Sequence, residues 1–234
     1  MTRVSCRSPV VAVVDYGMGN LRSVSHAVQR ASADSACIVT VTQDPTQVRN
    51  ADRVILPGQG AMPDCMEGLR HCGLLEAVLD VAASRPLLGI CVGMQMLLDR
   101  SAEGDIPCLG LIQGDVVRFD FTTAGQNPAQ NTLHDTPHNA QAPRCKIPQM
   151  GWNQVWYTRG HPVWGTVPDG SWFYFVHSYH VRPTDPAHCM GKADHGGPFC
   201  AAIARDNIFA TQFHPEKSAD QGLSLYRNFL HWNP

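Results

Sequence analysis

Val10-Val11-Ala12-Val13-Val14 is apolar at every position and stops at Asp15-Tyr16-Gly17. A strand without a polar face must be covered on both sides, as parallel strands of an α/β sheet are. The pattern recurs. Val54-Ile55-Leu56 stops at Pro57-Gly58-Gln59-Gly60, and Leu87-Leu88-Gly89-Ile90 stops at Cys91. A further strand is expected over residues 38–41. Leu21, Val24, Ala27, Val28 and Ala31 recur at three- and four-residue steps, which predicts an amphipathic helix capped by Asn20. Residues 69–83 and 92–98 are expected to be helical.

Strands alternating with helices predict an α/β fold with a mostly parallel sheet. After Leu111 the pattern changes to short strands at 114–119, 154–157, 172–177 and 208–213, separated by turns. Additional antiparallel strands are expected there, followed by a last helix over 222–232. Residues 121–146 are rich in Gln, Asn, Pro, Ala, Thr and His and offer little to bury. They read as a surface loop. His134 and His138 lie within it, but Pro137 between them argues against a helical metal site. The 234 residues suffice for one domain, 1–234, with that loop as an insertion.

Hydrophobic residues make up 44%, enough for a packed core. Net charge is -2, which supplies no electrostatic case for nucleic acid or an anionic membrane. No run approaches the ~20 apolar residues of a spanning helix, and Met1 to Pro9 has no leader-length apolar run. A cytoplasmic protein is expected. Charged residues are 16%, below the usual quarter, so a neutral surface that meets a partner is expected. Nine cysteines stand at scattered spacing without a C-x-x-C pair, which fits reduced thiols.

One of these cysteines has a special context. Gly89-Ile90-Cys91-Val92-Gly93 places Cys91 between two glycines at a strand-to-helix junction, the pattern of a nucleophile elbow. A helix starting at Val92 would favour thiolate, and the Val92 N–H would face a developing oxyanion. His214-Pro215-Glu216 follows another apolar strand. His214 is the candidate base and Glu216 the residue that orients it. Gly58, Gln59 and Gly60 form a candidate oxyanion loop facing Cys91. His177-Ser178-Tyr179-His180 closes an aromatic strand whose free backbone groups suit an amino-acid substrate. Gly17-Met18-Gly19-Asn20-Leu21-Arg22 begins like a dinucleotide fingerprint but has Arg22 where the third glycine belongs, so a tight turn or a partner contact is expected.

Together these segments resemble a class I glutamine amidotransferase. Residues 86–95 resemble that family's nucleophile motif, and Phe213-His214-Pro215-Glu216-Lys217-Ser218 its His/Glu motif. Asp15-Tyr16-Gly17-Met18-Gly19-Asn20-Leu21, the 56–62 and 148–153 segments and Phe175-Val176-His177-Ser178-Tyr179 are similar to the glutaminase subunits of imidazole glycerol phosphate synthases. The resemblance implies a three-layer α/β fold. It implies glutamine hydrolysis through a Cys91 thioester. The ammonia would pass to a (β/α)8-barrel cyclase partner in a heterodimer, giving imidazole glycerol phosphate and AICAR for histidine biosynthesis. It further implies that Gln95, Ser178 and Tyr179 bind glutamine and that the 57–60 loop reorients a peptide when the cyclase is occupied. Asn20, Trp152 and Lys217 would face the partner, and no metal or organic cofactor would be needed. Gln59 stands where the family more often has valine, and the 121–146 loop is longer than usual. A free-standing γ-glutamyl thiol hydrolase would use the same triad. A non-catalytic module holding phosphate at residues 17–22 would leave Cys91 inert.

Overall fold

The computed structural model describes residues 7–33, 37–121 and 145–234. The 121–146 loop, with His134 and His138, falls almost wholly outside the described residues.

The first half alternates as the apolar runs dictate. Strand β1 (Val10–Val14) leads to helix α1 (Leu21–Ala31), β2 (Ile38–Thr42), α2 (Pro45–Asn50) and β3 (Arg53–Gly58). Helices α3 (Met62–His71) and α4 (Leu75–Ala82) then lead to β4 (Leu87–Cys91) and the single turn α5 (Val92–Gln95). Two short strands, β5 (Arg100–Ser101) and β6 (Ile106–Pro107), precede β7 (Gly114–Arg118). The remainder comprises β8 (Gln149–Tyr157), β9 (Ser171–His177), β10 (Tyr179–Pro183), β11 (Cys189–Asp194), β12 (Pro198–Arg205), β13 (Ile208–Thr211) and α6 (Ala219–His231).

The described strands form one sheet with the central order β2-β1-β3-β4-β13-β12-β10-β7-β5-β6. From β2 to β13 all neighbours are parallel; β12, β10 and β7 continue antiparallel. Helix α1 packs against α6, and α2 against α4. The apolar runs explain the coverage: β4 and β13 are buried at every residue, and β1 and β3 at all but the first. Each large aliphatic or aromatic side chain so covered contributes about 1.5–3 kcal/mol.

Strands β8 and β9 form a ribbon attached through β11. On β9 burial alternates: Phe173, Phe175 and His177 point inward, while Trp172, Tyr174 and Val176 face out. Phe173 stacks on Phe213 with ring centroids 4.0 Å apart.

Several local expectations need correcting. The 69–83 helix is two helices, because the chain turns at Gly73, whose φ of 65° suits a residue without a side chain. Helix α3 begins earlier, at Met62, with a proline in its first turn. Helix α2, unread in the sequence, is capped by Asp44, whose side chain accepts from the Thr46 N–H. Asn20 occupies the cap position of α1, but its side chain makes no capping bond. Its carbonyl accepts from the Val24 N–H at 3.0 Å instead. The 92–98 helix stops after one turn. The N–H groups of Leu109, Gly110, Leu111 and Ile112 take the carbonyls of Met96, Leu98 and Leu97, so the returning chain ends it.

Candidate active site

Cys91 is the last residue of β4 and has φ 55° and ψ -111°. A non-glycine residue in that region costs of order 1–3 kcal/mol and persists only where its surroundings impose it. The surroundings are close-packed backbone. A Cβ on Gly93 would lie 1.9 Å from the Leu56 carbonyl oxygen, and one on Gly58 would lie 2.5 Å from the Gly93 nitrogen. These glycines let β3, β4 and α5 approach, and the elbow lifts the Cys91 side chain into a cavity of about 640 Å³. A cavity of that size accommodates an amino acid. With α5 only four residues long, little of a helix dipole is available to a thiolate.

His214 comes to the same cavity from the end of β13, the parallel neighbour of β4. Its Nδ1–H donates to Glu216 Oε1 at 2.8 Å, and both side chains are buried. Neighbouring backbone fixes this turn. The His214 N–H donates to the Tyr174 carbonyl at 2.9 Å, the Ser218 hydroxyl donates to the His214 carbonyl at 2.6 Å, and the Tyr174 N–H donates to Ser218 Oγ at 3.0 Å. His214 Nε2 has no hydrogen-bond partner. Burial opposes charge on the imidazole, but the Cys91 sulfur beside it and then the Glu216 carboxylate outweigh it. The pKa is pushed up to about 10. Burial and the Glu216 charge push Tyr226 well above the usual phenol range, so it stays neutral beside the carboxylate.

The other expected residues divide. Gln59, Gly60, Val92, Gln95, Ser178, Tyr179 and Lys217 line the cavity with Cys91. Gly58 lies just below, paired with Cys91 across β3 and β4. Gly17, Met18 and Gly19 line the same cavity from the end of β1, beside Asn20. Trp152 is outside it, half-exposed on β8, edge-on to Tyr174. The Lys217 ammonium lies 5.7 Å from the Tyr174 ring centroid, so cavity mouth and ribbon meet there.

The 57–60 loop is held at two carbonyls. The Tyr16 hydroxyl donates to Pro57 O at 2.8 Å, and the Cys65 thiol donates to Gln59 O at 3.4 Å. Gln95 Nε2 donates to the Tyr179 carbonyl at 2.9 Å and to Gln212 Oε1 at 3.0 Å. The Tyr179 carbonyl also meets His177 Nδ1 at 2.8 Å. Burial pushes His177 down to about 3, so the ring is neutral and Nδ1 carries the proton donated to that carbonyl. Sequence reasoning missed Tyr16, Cys65 and Gln212. Gln212, an amide in the otherwise largely apolar run Ile208 to Phe213 and two residues before His214, carried the clearest signal.

The model of the family described as glutamine amidotransferase class-I matches residues 12–232. Imidazole glycerol phosphate synthase subunit HisH of Nitrosomonas europaea is 50% identical over 96% of this chain and 99% of its own length. The corresponding subunit of Aromatoleum aromaticum is 49% identical over the same shares. A solved glutamine amidotransferase structure superposes with a TM-score of 0.65 at 16% identity, covering 94% of this chain and 96% of the other. One from Thermotoga maritima gives 0.57 at 15% identity, covering 92% and 80%. At those identities the two structures speak for the three-layer fold.

Proposed function

Because the chain belongs to the class-I glutamine amidotransferase family, and within it to the HisH subunits of imidazole glycerol phosphate synthase, we infer that it hydrolyses glutamine and delivers the ammonia for histidine biosynthesis. The observation that carries the catalytic reading is the meeting of the Cys91 elbow and the His214–Glu216 pair in one cavity.

In this reading His214 takes the Cys91 proton and the sulfur attacks the side-chain amide carbon of glutamine. The oxyanion is met by the Val92 N–H and by a peptide N–H of the 58–60 loop. His214 returns its proton to the leaving nitrogen, which departs as ammonia. Water, deprotonated by His214, then cleaves the γ-glutamyl thioester to glutamate. Glu216 holds the imidazole proton on Nδ1 throughout, keeping Nε2 for the transfer.

Gln95 uses both amide protons on Tyr179 O and Gln212 Oε1, so it offers the substrate an acceptor oxygen. It would receive an N–H of bound glutamine. Ser178 and Tyr179 contribute backbone to the same wall.

The partner is a (β/α)8-barrel cyclase, bound as a heterodimer on the outer face of the β8–β9 ribbon. Met150, Trp152, Trp156 and Trp172 are exposed there, and Lys217 joins that face to the cavity. Exposed aromatic and thioether side chains at such density suit an interface. Among the described residues no helix is long and apolar enough to cross a membrane; a cytoplasmic heterodimer is the setting proposed. The whole chain, 1–234, is taken as one functional domain.

The test is glutamine hydrolysis by the chain and its Cys91→Ala variant, with and without a cyclase subunit carrying its ligand. The reading expects Cys91-dependent hydrolysis that rises when the cyclase is occupied. Hydrolysis by Cys91→Ala equal to that of the unaltered chain would sink the catalytic assignment; hydrolysis indifferent to the cyclase would sink the partnership.

A further inference from the structure

Gln212 follows β13 and is fully buried. Its backbone N–H is held by the Ala201 carbonyl at 2.8 Å, which fixes where the side chain starts. That side chain stands between two residues of the cavity. Oε1 lies 3.0 Å from Gln95 Nε2, and Nε2 lies 3.8 Å from Cys91 Sγ.

Which end of each amide faces which neighbour follows from a single backbone atom. The Tyr179 carbonyl can only accept, so the Gln95 atom 2.9 Å away must be its NH2 group. That group's second proton points at Gln212, so Gln212 must present its oxygen to Gln95. Its own NH2 then has one place left to go, the sulfur of Cys91. Rotating either amide would set two oxygens or two NH2 groups against each other. The Tyr179 carbonyl thus dictates, through two side chains, that Cys91 meets an N–H donor.

We propose that Gln212 is a further catalytic residue of the glutaminase reaction, donating a hydrogen bond to the Cys91 sulfur when that sulfur is anionic. The proposal rests on the functional reading above and extends it to a residue outside the triad. It also gives a physical source for the stabilisation that the one-turn α5 cannot supply. The same contact weakens as the thioester forms and the sulfur loses its charge, so the donor favours the attacking state of the cysteine. Gln212 also holds Gln95 in place, which links substrate binding to thiol activation.

The experiment uses two variants of the full chain. Gln212→Glu keeps an oxygen for Gln95 and turns a carboxylate oxygen toward the sulfur. Gln212→Leu removes both polar ends. Alkylation of Cys91 by iodoacetamide is followed against pH by peptide mass spectrometry, which isolates this thiol from the other eight. Melting temperature and the separate kcat and KM for glutamine are recorded alongside. Both variants should show the Cys91 pH–rate profile moved to higher pH, Gln212→Glu the more. Alkylation at neutral pH should fall about tenfold or more, as expected for a lost hydrogen bond to a charged group. A purely structural role would lower the melting temperature and raise KM while leaving the profile in place, and that result overturns the proposal.

If Gln212→Leu does not fold, the Gln212→Glu profile and the side-chain NH2 resonances of Gln212 in the unaltered chain decide the matter. Those resonances should move when Cys91 is alkylated, and their staying fixed would contradict the contact. Failure of the functional reading looks different: the unaltered chain would then hydrolyse no glutamine in a Cys91-dependent way, whatever Gln212 does.

Discussion

His214 Nδ1 and Glu216 Oε1 are 2.8 Å apart, two residues from each other in sequence, with both side chains buried. The short turn through Pro215 folds the carboxylate back onto the ring, and Ser218 ties that turn to β9. The imidazole therefore has one orientation and one tautomer to offer Cys91. Glu216→Gln keeps the size but can present an NH2 to Nδ1, favouring the other tautomer. Glutaminase kcat should fall about a hundredfold or more while KM changes little, measured by steady-state glutamate release.

The raised pKa of His214 makes a stability prediction with a definite sign. A group that binds its proton more tightly when folded stabilises the fold fully below its unfolded pKa, near 6.5, and loses that contribution as pH rises through its folded pKa, about 10. The Cys91 charge is the main raising influence. Comparing melting temperatures of the unaltered chain and Cys91→Ala across this window should show the unaltered chain's relative stability declining toward alkaline pH. An advantage that grew with pH would contradict the assignment.

Tyr16 pins the Pro57 carbonyl at the start of the 57–60 loop. Tyr16→Phe leaves the Pro57 oxygen without that partner, and stability should drop by about 1–3 kcal/mol in chemical denaturation. The loop should also turn more freely. Hydrolysis without the cyclase is expected to rise relative to hydrolysis with it, as read from the ratio of the two rates.

Gly93→Ala tests the elbow's packing. The new Cβ would fall 1.9 Å from the Leu56 carbonyl, which belongs to a central strand and cannot retreat. Overpacking of this kind costs about 1–3 kcal/mol or more. The variant should melt at a lower temperature and lose Cys91 reactivity together.

Trp152→Ala tests the ribbon face. Trp152 stands half-exposed over Tyr174, whose backbone holds the His214 turn. The affinity for the cyclase, measured by titration calorimetry, should fall about tenfold or more, as for an aromatic anchor. Labelling of Cys91 by a glutamine-like electrophile should change far less.

Much of this was legible in the sequence because the relevant signals are local. Apolar runs ending at glycines give parallel strands and the rim where they stop, and Cys91 and His214 both fall on that rim. The glycines around Cys91 announce a close-packed turn. Reading failed where distant backbone decided the outcome. Helix α5 ends early because residues 109–112 return to take the carbonyls of Met96, Leu97 and Leu98 just past it, and nothing within 92–98 says so. Asn20 has the right side chain for a cap, yet leaves it unused. Strand β11 (Cys189–Asp194) mixes polar and apolar residues and gives no clear pattern, whereas the apolar run Phe199 to Ala204 of β12 was a strand signal the sequence did carry. Tyr16, Cys65 and Gln212 act through neighbours 41, 6 and 121 residues away, so no motif spacing marks them.

Every step proposed for this site depends on the Cys91 sulfur opening glutamine. The most direct measurement is acid quenching during turnover with glutamine and the occupied cyclase, followed by peptide mass spectrometry. A γ-glutamyl group should appear on the Cys91 peptide, absent in Cys91→Ala and accumulating when deacylation is slowed. Steady hydrolysis by Cys91→Ala, or a γ-glutamyl group on another of the nine cysteines in its place, would contradict it.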